Sequence, residues 1–410
     1  MKQKFLVFLF IASSLFASGF QLNEFGAKAM GMGGAFTAVA NTPTAIFFNP
    51  AGITQLNGTQ LSIGSNIITL GSTFRGVSPN ITEYKLKDQI FTPIIGQFTY
   101  KYDDNLSFGI GLGNPFGLGT KWDDNWIGRY ITTEIEIRVF SLQPVVAYKI
   151  FDNLSLSAGI NYNYADVLIR KNVNLAPFST TDGQVKITGD DQSLGYAFGI
   201  LYKPTDNLSF GLGYRSKVKY EFSGTTSKVA PAQLAGKLPS GKTSAKLTTP
   251  VNLSVGVAYK FDNLLLSCDY QYVGWSSYDS LNIKFNESNL ESKSYRGYNN
   301  SYIIRFGLDY NVNDILNLYA GIYYDKSPVK DEHLDPTLPD ANRMGYSAGF
   351  GYKFNENIQL DLSYLFLRME ERKITNSEIN YSGIAGAIAP FNGVYNSYAH
   401  LFSLTLNYSF

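Results

Sequence analysis

One short polar turn recurs six times along this 410-residue chain, and an apolar, strand-like segment follows each copy. The copies are Asp104-Asn105-Leu106, Asp152-Asn153-Leu154, Asp206-Asn207-Leu208, Asp262-Asn263-Leu264, Asn313-Asp314-Ile315 and Glu356-Asn357-Ile358. Asp and Asn side chains hydrogen-bond to the nearby backbone and tolerate left-handed φ angles, so they close tight connections between antiparallel strands. The repeat therefore predicts a long series of β-hairpins.

Long polar connections alternate with these short turns. They lie near residues 73–90, 114–133, 171–191, 221–245, 279–298, 327–342 and 374–396. Six short and seven long connections join about fourteen strands, and an even number leaves both chain ends on the side of the short turns. This arrangement is typical of single-chain outer-membrane barrels.

The last strand indicates which face meets lipid. Phe402, Leu404, Leu406, Tyr408 and Phe410 alternate with small polar residues. In a soluble protein such an exposed apolar stripe on an edge strand would promote aggregation, whereas in a barrel it faces lipid while the polar residues face the lumen. We therefore predict an all-β fold, a transmembrane antiparallel β-barrel. The terminal Phe410 also fits the signal that the barrel assembly machinery reads, which makes that machinery an expected partner.

The first seventeen residues have the features of a cleaved leader. Lys2 and Lys4 precede an apolar run at residues 5–11, and Ala17 occupies the predicted cleavage position. The run is shorter than the roughly 20 residues that a membrane-spanning helix needs. The only cysteine, Cys268, lies far from the leader and has no partner for a disulfide. We expect an exported, unlipidated protein in the outer membrane of a Gram-negative bacterium.

Composition argues against nucleic-acid binding and against catalysis. Without the two leader lysines, 32 basic side chains face 33 acidic ones, so no nucleic-acid partner is expected. His333 lies between Asp331 and Asp335 but has no recognisable orienting group, so we interpret it as a solvated loop histidine. Two histidines and one cysteine also make an imidazole or thiolate metal site, a cofactor or an enzyme unexpected. Calcium binding by loop carboxylates stays open.

Behind the leader, the chain resembles a known family. Residues 19–24 read Gly-Phe-Gln-Leu-Asn-Glu, a Gly/Ala-rich stretch follows at residues 26–34, and residues 48–52 read Phe-Asn-Pro-Ala-Gly. These segments, with Pro-Phe-Gly-Leu at 115–118 and Leu-Pro-Asp-Ala-Asn-Arg at 338–343, resemble the FadL/TodX family of outer-membrane channels for long-chain fatty acids and other apolar molecules. The resemblance implies a signal peptide at 1–17, a hatch at 18–57 that fills the lumen, and a fourteen-stranded barrel at 58–410.

We also predict which residues form the hatch turn and contact the ligand. Asn49, Pro50, Ala51 and Gly52 would hold a turn in the hatch. The residues expected to contact substrate are the aromatic Phe20, Phe47 and Phe48 and the arginines Arg138, Arg215 and Arg305.

The three arginines are candidates to meet a fatty-acid carboxylate. The two-residue period places Arg215 and Arg305 inward. If Ile135 and Ile137 face lipid, the same period places Arg138 inward as well. The alternative interpretation of these inward charges is a structural network of ion pairs that supports the barrel.

The third predicted strand contains Gly113-Asn114-Pro115-Phe116-Gly117, which a central strand should not contain, because proline lacks a ladder donor and glycine weakens the strand. Either the strand ends at Asn114 and a loop begins, or, as the resemblance implies, the strand is kinked and opens a lateral gate in the barrel wall.

The resemblance thus implies a passive channel without a cofactor, which takes up long-chain fatty acids or small hydrocarbons, binds them above the hatch and releases them through the third strand. The expected partners are hydrophobic small molecules, outer-membrane lipid and lipopolysaccharide, and the expected state is a monomer. The alternatives are a non-transporting adhesin or phage receptor, and a general porin, which would need an open, water-filled lumen.

Overall fold

A computed structural model of the chain describes residues 19–287, 290–382 and 388–410. The predicted leader lies outside these described residues. Within them, no helix is both long and apolar enough to cross a membrane.

Short helical elements are concentrated near the N-terminus, and strands make up most of the remaining chain. The helices are α1 (Ala27–Gly31) and α2 (Ala45–Phe48), and 3₁₀ turns lie at Pro50–Gln55, Ala235–Lys237, Trp275–Ser277 and Asp331–His333. The strands are β1 (Thr59–Gly76), β2 (Glu83–Lys85), β3 (Ile90–Phe91), β4 (Ile94–Lys101), β5 (Leu106–Lys121), β6 (Glu134–Phe151), β7 (Leu154–Val173), β8 (Gly183–Thr205), β9 (Leu208–Arg215), β10 (Lys219–Val229), β11 (Gly241–Thr248), β12 (Asn252–Phe261), β13 (Leu264–Val273), β14 (Ser280–Phe285), β15 (Leu290–Tyr295), β16 (Ser301–Asn311), β17 (Leu316–Asp325), β18 (Arg343–Lys353), β19 (Ile358–Met369), β20 (Arg372–Ile374), β21 (Asn380–Ser382), β22 (Ile388–Pro390) and β23 (Gly393–Ser409).

The sheet closes on itself because its first and last strands pair. β1 pairs antiparallel with β23 from Gln60 opposite Ser409 to Gly76 opposite Gly393. Some wall strands consist of several consecutive elements, for example β2 to β4, which all pair with β1. When the consecutive elements of each wall strand are counted as one strand, the wall is a closed antiparallel barrel of fourteen strands, which confirms the predicted fold.

The predicted alternation on the last strand is also confirmed. The exposed fraction is 55% for Phe402 and 47% for Leu404, whereas Ser403 and Thr405 are each only 2% exposed. Apolar side chains therefore cover the outside of the wall, and polar side chains line much of its inside.

In three of the six short turns an Asp or Asn side chain accepts from the turn backbone as the sequence predicts, and in two of these three it stands one residue earlier than in our motif. The Oδ1 atom of Asp103 accepts from the backbone N–H groups of Asn105 and Leu106 at 2.8 and 2.7 Å. Asn313 does the same for Ile315 and Leu316, at 2.9 Å each. A local side-chain acceptor thus explains why these turns could be recognised from sequence.

Three of the predicted long connections are largely strand, so that part of the prediction is wrong. Most of residues 171–191, 221–245 and 279–298 belong to β7, β8, β10, β11, β14 and β15. β8 alone has 23 residues, while a membrane-crossing strand needs roughly 9–11. These strands project beyond the membrane, where water replaces lipid and their outer face carries Lys and Ser instead of aromatic residues. That polarity hides the strand pattern.

Residues 19–57 hydrogen-bond to inward side chains all around the wall. The N–H of Thr37 donates to Asp269 Oδ2 at 2.8 Å, and the N–H of Ala27 donates to Thr405 Oγ1 at 3.0 Å. Gln97 Nε2 donates to the carbonyl of Phe25 at 2.8 Å. The polar inward positions therefore satisfy backbone groups of the N-terminal segment that water does not reach.

Two wall glycines let this segment approach the wall very closely. A Cβ atom at Gly321 would lie 2.1 Å from the backbone nitrogen of Gly33, and one at Gly211 would lie 2.1 Å from the carbonyl oxygen of Thr37. A side chain at either position would force the N-terminal segment away from the wall.

We predict that Gly321→Ala weakens the seating of the N-terminal segment without preventing barrel assembly. The N-terminal segment should bind to the wall less strongly by about 1–3 kcal/mol, which is the usual cost of overpacking. Ion conductance in planar bilayers should therefore increase. The matched control is Gly236→Ala, because a Cβ atom there would have no heavy atom within 4 Å. Conductance of Gly321→Ala equal to that of the control and the parent protein would contradict the prediction.

Candidate ligand cavity and wall opening

The third wall strand does not end at Asn114. β5 runs to Lys121 with a register shift between Gly113 and Phe116 in its pairing with β6. The interpretation that a loop begins at Asn114 is therefore wrong. At this irregularity the side chain of Asn114 accepts from the N–H of Ile94 and donates to the carbonyl of Val139, each at 3.0 Å.

On its other edge, β5 loses its neighbour. β4 pairs with β5 only up to Gly96 opposite Leu112, and backbone bonding resumes where the N–H of Lys87 donates to Lys121. Among the described residues, no backbone ladder joins residues 113–120 to the second wall strand. The wall therefore has an opening beside this part of β5.

The N-terminal segment occupies the vacated edge. The N–H of Leu22 donates to the carbonyl of Pro115, and the N–H of Gly117 donates to the carbonyl of Phe20, each at 3.0 Å. Gln21 and Phe116 form an antiparallel bridge between these two bonds. Three residues of the N-terminal segment thus act as a short strand that pairs with the third wall strand.

The glycines of this strand make room for side chains on the inside. A Cβ atom at Gly111 would lie 2.8 Å from both Ile46 and Phe47, and one at Gly117 would lie 3.1 Å from Leu22. A Cβ atom at Gly119 would lie 2.3 Å from the ring of Phe91. The glycines therefore allow apolar groups to pack close to the wall.

A cavity of about 400 Å³ lies inside this opening. Typical small-molecule sites range from roughly 300 to 1,000 Å³. Its lining combines apolar inward positions of the wall, the loop before β18, the N-terminal residues and the edge of β5, for example Ile68, Leu70, Leu367, Leu401, Leu338, Phe20, Leu22, Phe91, Pro93, Phe116 and Leu118. The cavity is therefore continuous with the wall opening.

Sequence reasoning missed this apolar wall, although a signal was present. On β19 the inward residues change from Asp361 and Ser363 to Leu365 and Leu367, and both leucines are buried. The strand then becomes apolar on both faces at residues 364–367. Loss of alternation within a strand that is regular elsewhere indicates that both of its faces meet apolar surroundings.

The predicted aromatic contacts separate into two places. Phe20 lines the large cavity and packs against Phe116 and Trp275, with ring centroids 5.9 and 4.9 Å apart. Phe47 and Phe48 instead line a second cavity of about 40 Å³, which has room for about one water molecule. The structure does not bring the three phenylalanines together.

Arg138 faces outward, so the prediction that it points into the lumen is wrong. Ile135, Ile137 and Val139 are buried at 5%, 5% and 1% exposure, and Arg138 lies on the opposite face. Its Nη2 atom is 2.9 Å from Asp166 Oδ1, and Arg138 still lines the large cavity at the wall opening, beside Glu136. The prediction failed because these apolar residues face an apolar part of the interior and not lipid.

Arg215 and Arg305 face inward as predicted, yet neither lines the large cavity. The Nη2 atom of Arg215 donates to the carbonyl of Phe47 at 2.7 Å, and its guanidinium lies 5.4 Å from the centre of the Phe25 ring. Arg305 is 4% exposed and lies against Gly34, where a Cβ atom would be 2.9 Å from Arg305 Nε. Both arginines support the N-terminal segment.

The arginine that borders the large cavity from the inside is Arg343, which lies among carboxylates. Its Nε atom is 2.7 Å from Asp325 Oδ2. Asp340, in the loop before β18, also lines the cavity and is 3% exposed. Burial raises the pKa of Asp340 to about 6, although Arg343 opposes the shift, so this group is mostly ionised at neutral pH. Glu24 adds a third carboxyl group to the lumen side of the cavity.

The predicted hatch turn is held by Asn49. Its Nδ2 atom donates to the carbonyls of Thr37 and Ile200 at 2.9 Å each, and its Oδ1 accepts from the N–H of Ala51 at 3.2 Å. Pro50 begins the following 3₁₀ turn. Gly52 is required by close contact, because a Cβ atom there would lie 2.3 Å from the Cβ of Ala40.

His333 is buried at 6% exposure, so the interpretation of a solvated loop histidine is wrong. Its ring lies edge-on to Tyr295, with centroids 4.9 Å apart. Within residues 19–287, 290–382 and 388–410, no group of three or more His, Cys, Asp or Glu side chains is arranged to hold a metal ion.

Comparison with known sequences shows that this chain is similar to outer-membrane proteins. The sequence model of a family described as outer membrane protein transport protein (OMPP1/FadL/TodX) matches residues 8–410. Outer membrane protein P1 of Haemophilus influenzae is 26% identical over 98% of this chain and 97% of its own length. The long-chain fatty acid transport protein of Escherichia coli K12 is 24% identical over 98% of this chain and 96% of its own length.

Solved structures share the fold. A FadL homologue from Pseudomonas aeruginosa has a TM-score of 0.83 at 23% identity and covers 97% of this chain and 100% of its own. The toluene transporter TodX from P. putida has a TM-score of 0.73 at 19% identity and covers 95% of this chain and 99% of its own. At these identities the likeness concerns the architecture.

Proposed function

The chain belongs to the OMPP1/FadL/TodX family of outer-membrane transport proteins, which are channels and not enzymes, and from this membership we propose a passive channel for hydrophobic molecules. The observation that carries the proposal is the apolar cavity of about 400 Å³ that meets an opening in the barrel wall. A general porin would need an open aqueous lumen, whereas here the N-terminal segment bonds to inward side chains around the barrel.

The route we propose is lateral release through the opening beside β5. Residues 113–121 pair with β6 next to Phe140, at the edge of an outward apolar band that continues through Leu142 and Val146 to Tyr148. An apolar ligand that leaves there enters the bilayer directly. Release into water would expose its chain, at a cost of about 0.8 kcal/mol for each methylene group.

Residues 20–22 form the gate in this proposal. They hold the free edge of β5 with two backbone hydrogen bonds, and Phe20 and Leu22 line the cavity on the route to the opening. Full opening therefore requires the N-terminal segment to separate from the third wall strand.

We predict that cross-linking this segment to β5 blocks uptake reversibly. Gln21 and Phe116 lie directly opposite each other between two hydrogen-bonded neighbours, a position where Cα atoms are about 4.5 Å apart and a disulfide fits. In a Cys268→Ser background, Gln21→Cys with Phe116→Cys should reduce uptake of a labelled hydrocarbon to background, and a reductant should restore it. Either single cysteine serves as control. Undiminished uptake by a fully cross-linked double variant would refute lateral release past this segment.

For the ligand, we propose uncharged molecules in preference to carboxylates. The relatives named above include a long-chain fatty acid transporter and a toluene transporter, so the family covers both classes. In this chain Arg343 is paired with Asp325 and lies near Asp340, while Arg215 and Arg305 contact the N-terminal segment. A carboxylate in the large cavity would meet buried acidic groups. Both arginines that line this cavity, Arg343 and Arg138, are already paired with carboxylates.

We predict that the purified protein binds dodecanol more tightly than dodecanoate at about pH 8, where the acid is ionised. Asp340→Asn should tighten dodecanoate binding about fivefold, equivalent to about 1 kcal/mol, and leave dodecanol within about twofold. Asp314→Asn, in an exposed turn, is the control. Calorimetry in mild detergent measures both ligands. A parent protein that prefers dodecanoate would contradict this assignment but leave the channel function intact.

The proposed channel function also implies how the chain is divided and what surrounds the barrel. We infer that residues 1–17 are a cleaved leader, residues 18–57 a hatch and residues 58–410 the barrel. We propose that the barrel assembly machinery recognises the last strand, on which Phe410 is exposed at 69% beside Tyr408. We propose that the protein works as a monomer surrounded by outer-membrane lipid and lipopolysaccharide.

A further inference from the structure

The strands that project beyond the membrane form one continuous sheet. β8 pairs with β7 and β10, β10 with β11, β11 with β14, and β14 with β15. The inner face of this sheet carries a buried apolar cluster that includes Val185, Ile187, Ile283 and Phe285. Among the described residues, no apolar cluster covers its outer face, which continues upward from the lipid-facing side of the wall.

That outer face is strongly basic. We call it the lysine face, and it comprises Lys186, Lys217, Lys219, Lys242, Lys246, Lys284 and Lys293, all exposed. The acidic residues on or beside this face are Asp190, Glu221, Glu287 and Glu291. Seven lysines therefore face four carboxylates on one side of a chain whose overall formal charge is only +1.

Most of these lysines have no acidic partner. Glu221 pairs with Lys219 and Lys246 at 2.8 and 2.9 Å, and these two hydrogen bonds hold the pKa of Glu221 at about 2. In the part of the chain that the structure describes, the other five lysines form no ion pair. The lysine face therefore has an excess of positive charge that the protein leaves unneutralised.

Strand register places the lower lysines just above the lipid-facing surface. On β8, Tyr196 and Phe198 point outward at 49% and 47% exposure, and Ser193 donates to the carbonyl of Lys219 at 2.5 Å. Lys246 lies opposite Glu221, and Lys293 lies opposite Asn282 in the same row. At about 3.3 Å for each residue, this lower row begins roughly 10–20 Å along the strands from Tyr196.

We propose that the lysine face binds the phosphate groups of lipopolysaccharide in the outer leaflet. A surface that faces away from the barrel axis and starts at the upper edge of the lipid-facing band meets the headgroups of the surrounding lipid. In the outer leaflet these headgroups are phosphorylated sugars. Lysine ammonium groups are compact charges with three donors each, suited to phosphate oxygens, and clustered lysines beside a membrane attract anionic lipid.

The site differs from the ligand cavity in location and chemistry. The cavity lies inside the barrel near β1, β5, β19 and β23, whereas the lysine face lies outside on β8, β10, β11, β14 and β15. The inference therefore does not depend on the transported ligand.

The test compares the full-length mature protein with Lys217→Gln/Lys284→Gln/Lys293→Gln, which removes three of the five exposed lysines that form no ion pair among the described residues and leaves the pairs of Glu221 intact. The probe is diphosphorylated lipid A in zwitterionic detergent micelles, with its dephosphorylated form as reference. We expect the parent protein to prefer the phosphorylated form, and the triple variant to bind it at least about tenfold more weakly. Native mass spectrometry counts bound lipid, and unboiled gel migration verifies that the barrel is folded.

The matched control is Lys149→Gln/Lys260→Gln/Lys353→Gln, which removes the same charge from the ends of strands beside the short turns. Its affinity should stay within about twofold of the parent protein. Unchanged binding by the triple variant of the lysine face, or an equal loss in the control, would overturn the proposal. So would lysine-dependent binding of soluble polyphosphate as tight as that of lipid A, because the face would then recognise a soluble polyanion.

Discussion

Every backbone N–H and C=O group inside the hydrocarbon layer needs a partner within the protein, and most of this structure follows from that constraint. It requires the sheet to close, which β1 and β23 accomplish along their length. The same constraint makes the edge of β5 exceptional, since residues 113–120 lose their neighbour in the wall. The backbone of residues 20–22 supplies two of the missing bonds, at Pro115 and Gly117, and the side chain of Asn114 accepts from the N–H of Ile94. An opening can therefore exist without leaving the strand edge bare, and its closing element is a segment held by few bonds.

The same need for backbone partners decides which inward positions of the barrel are polar and which are apolar. Where the backbone of the N-terminal segment lies against the wall, inward positions are polar and donate or accept, as Asp269 and Thr405 do. Where no backbone needs partners, inward positions on β1, β19 and β23 become apolar and enclose the large cavity. Glycines such as Gly321 mark the places where the two backbones meet. The polarity of the inward residues along a single strand therefore depends on whether the N-terminal backbone or the apolar cavity lies opposite them.

Charged side chains follow their surroundings. Inside, Arg343 is paired with Asp325, and Arg215 is bonded to a backbone carbonyl, because an unpaired charge is costly in a lumen that excludes water. Outside and above the lipid, five of the seven lysines on the projecting sheet form no ion pair among the described residues, because water stabilises exposed ammonium groups. This contrast separates structural charges from charges that are available to a partner, and sequence periodicity alone does not show it.

The sequence by itself determined the fold class, the fourteen strands, the short turns and the faces of regular strands such as β23. These features depend on local physics, since turn closure uses side chains within three residues and the period of two is fixed by the strand. Only the tertiary structure decided where Arg138 points, what pairs with residues 113–120, how far β8, β10, β11, β14 and β15 extend, and which carboxylates surround Arg343. The apolar residues beside Arg138 could equally face lipid or an apolar cavity, and their neighbours in sequence are the same in both cases. Such features depend on residues that are distant in the chain and meet only after the barrel closes.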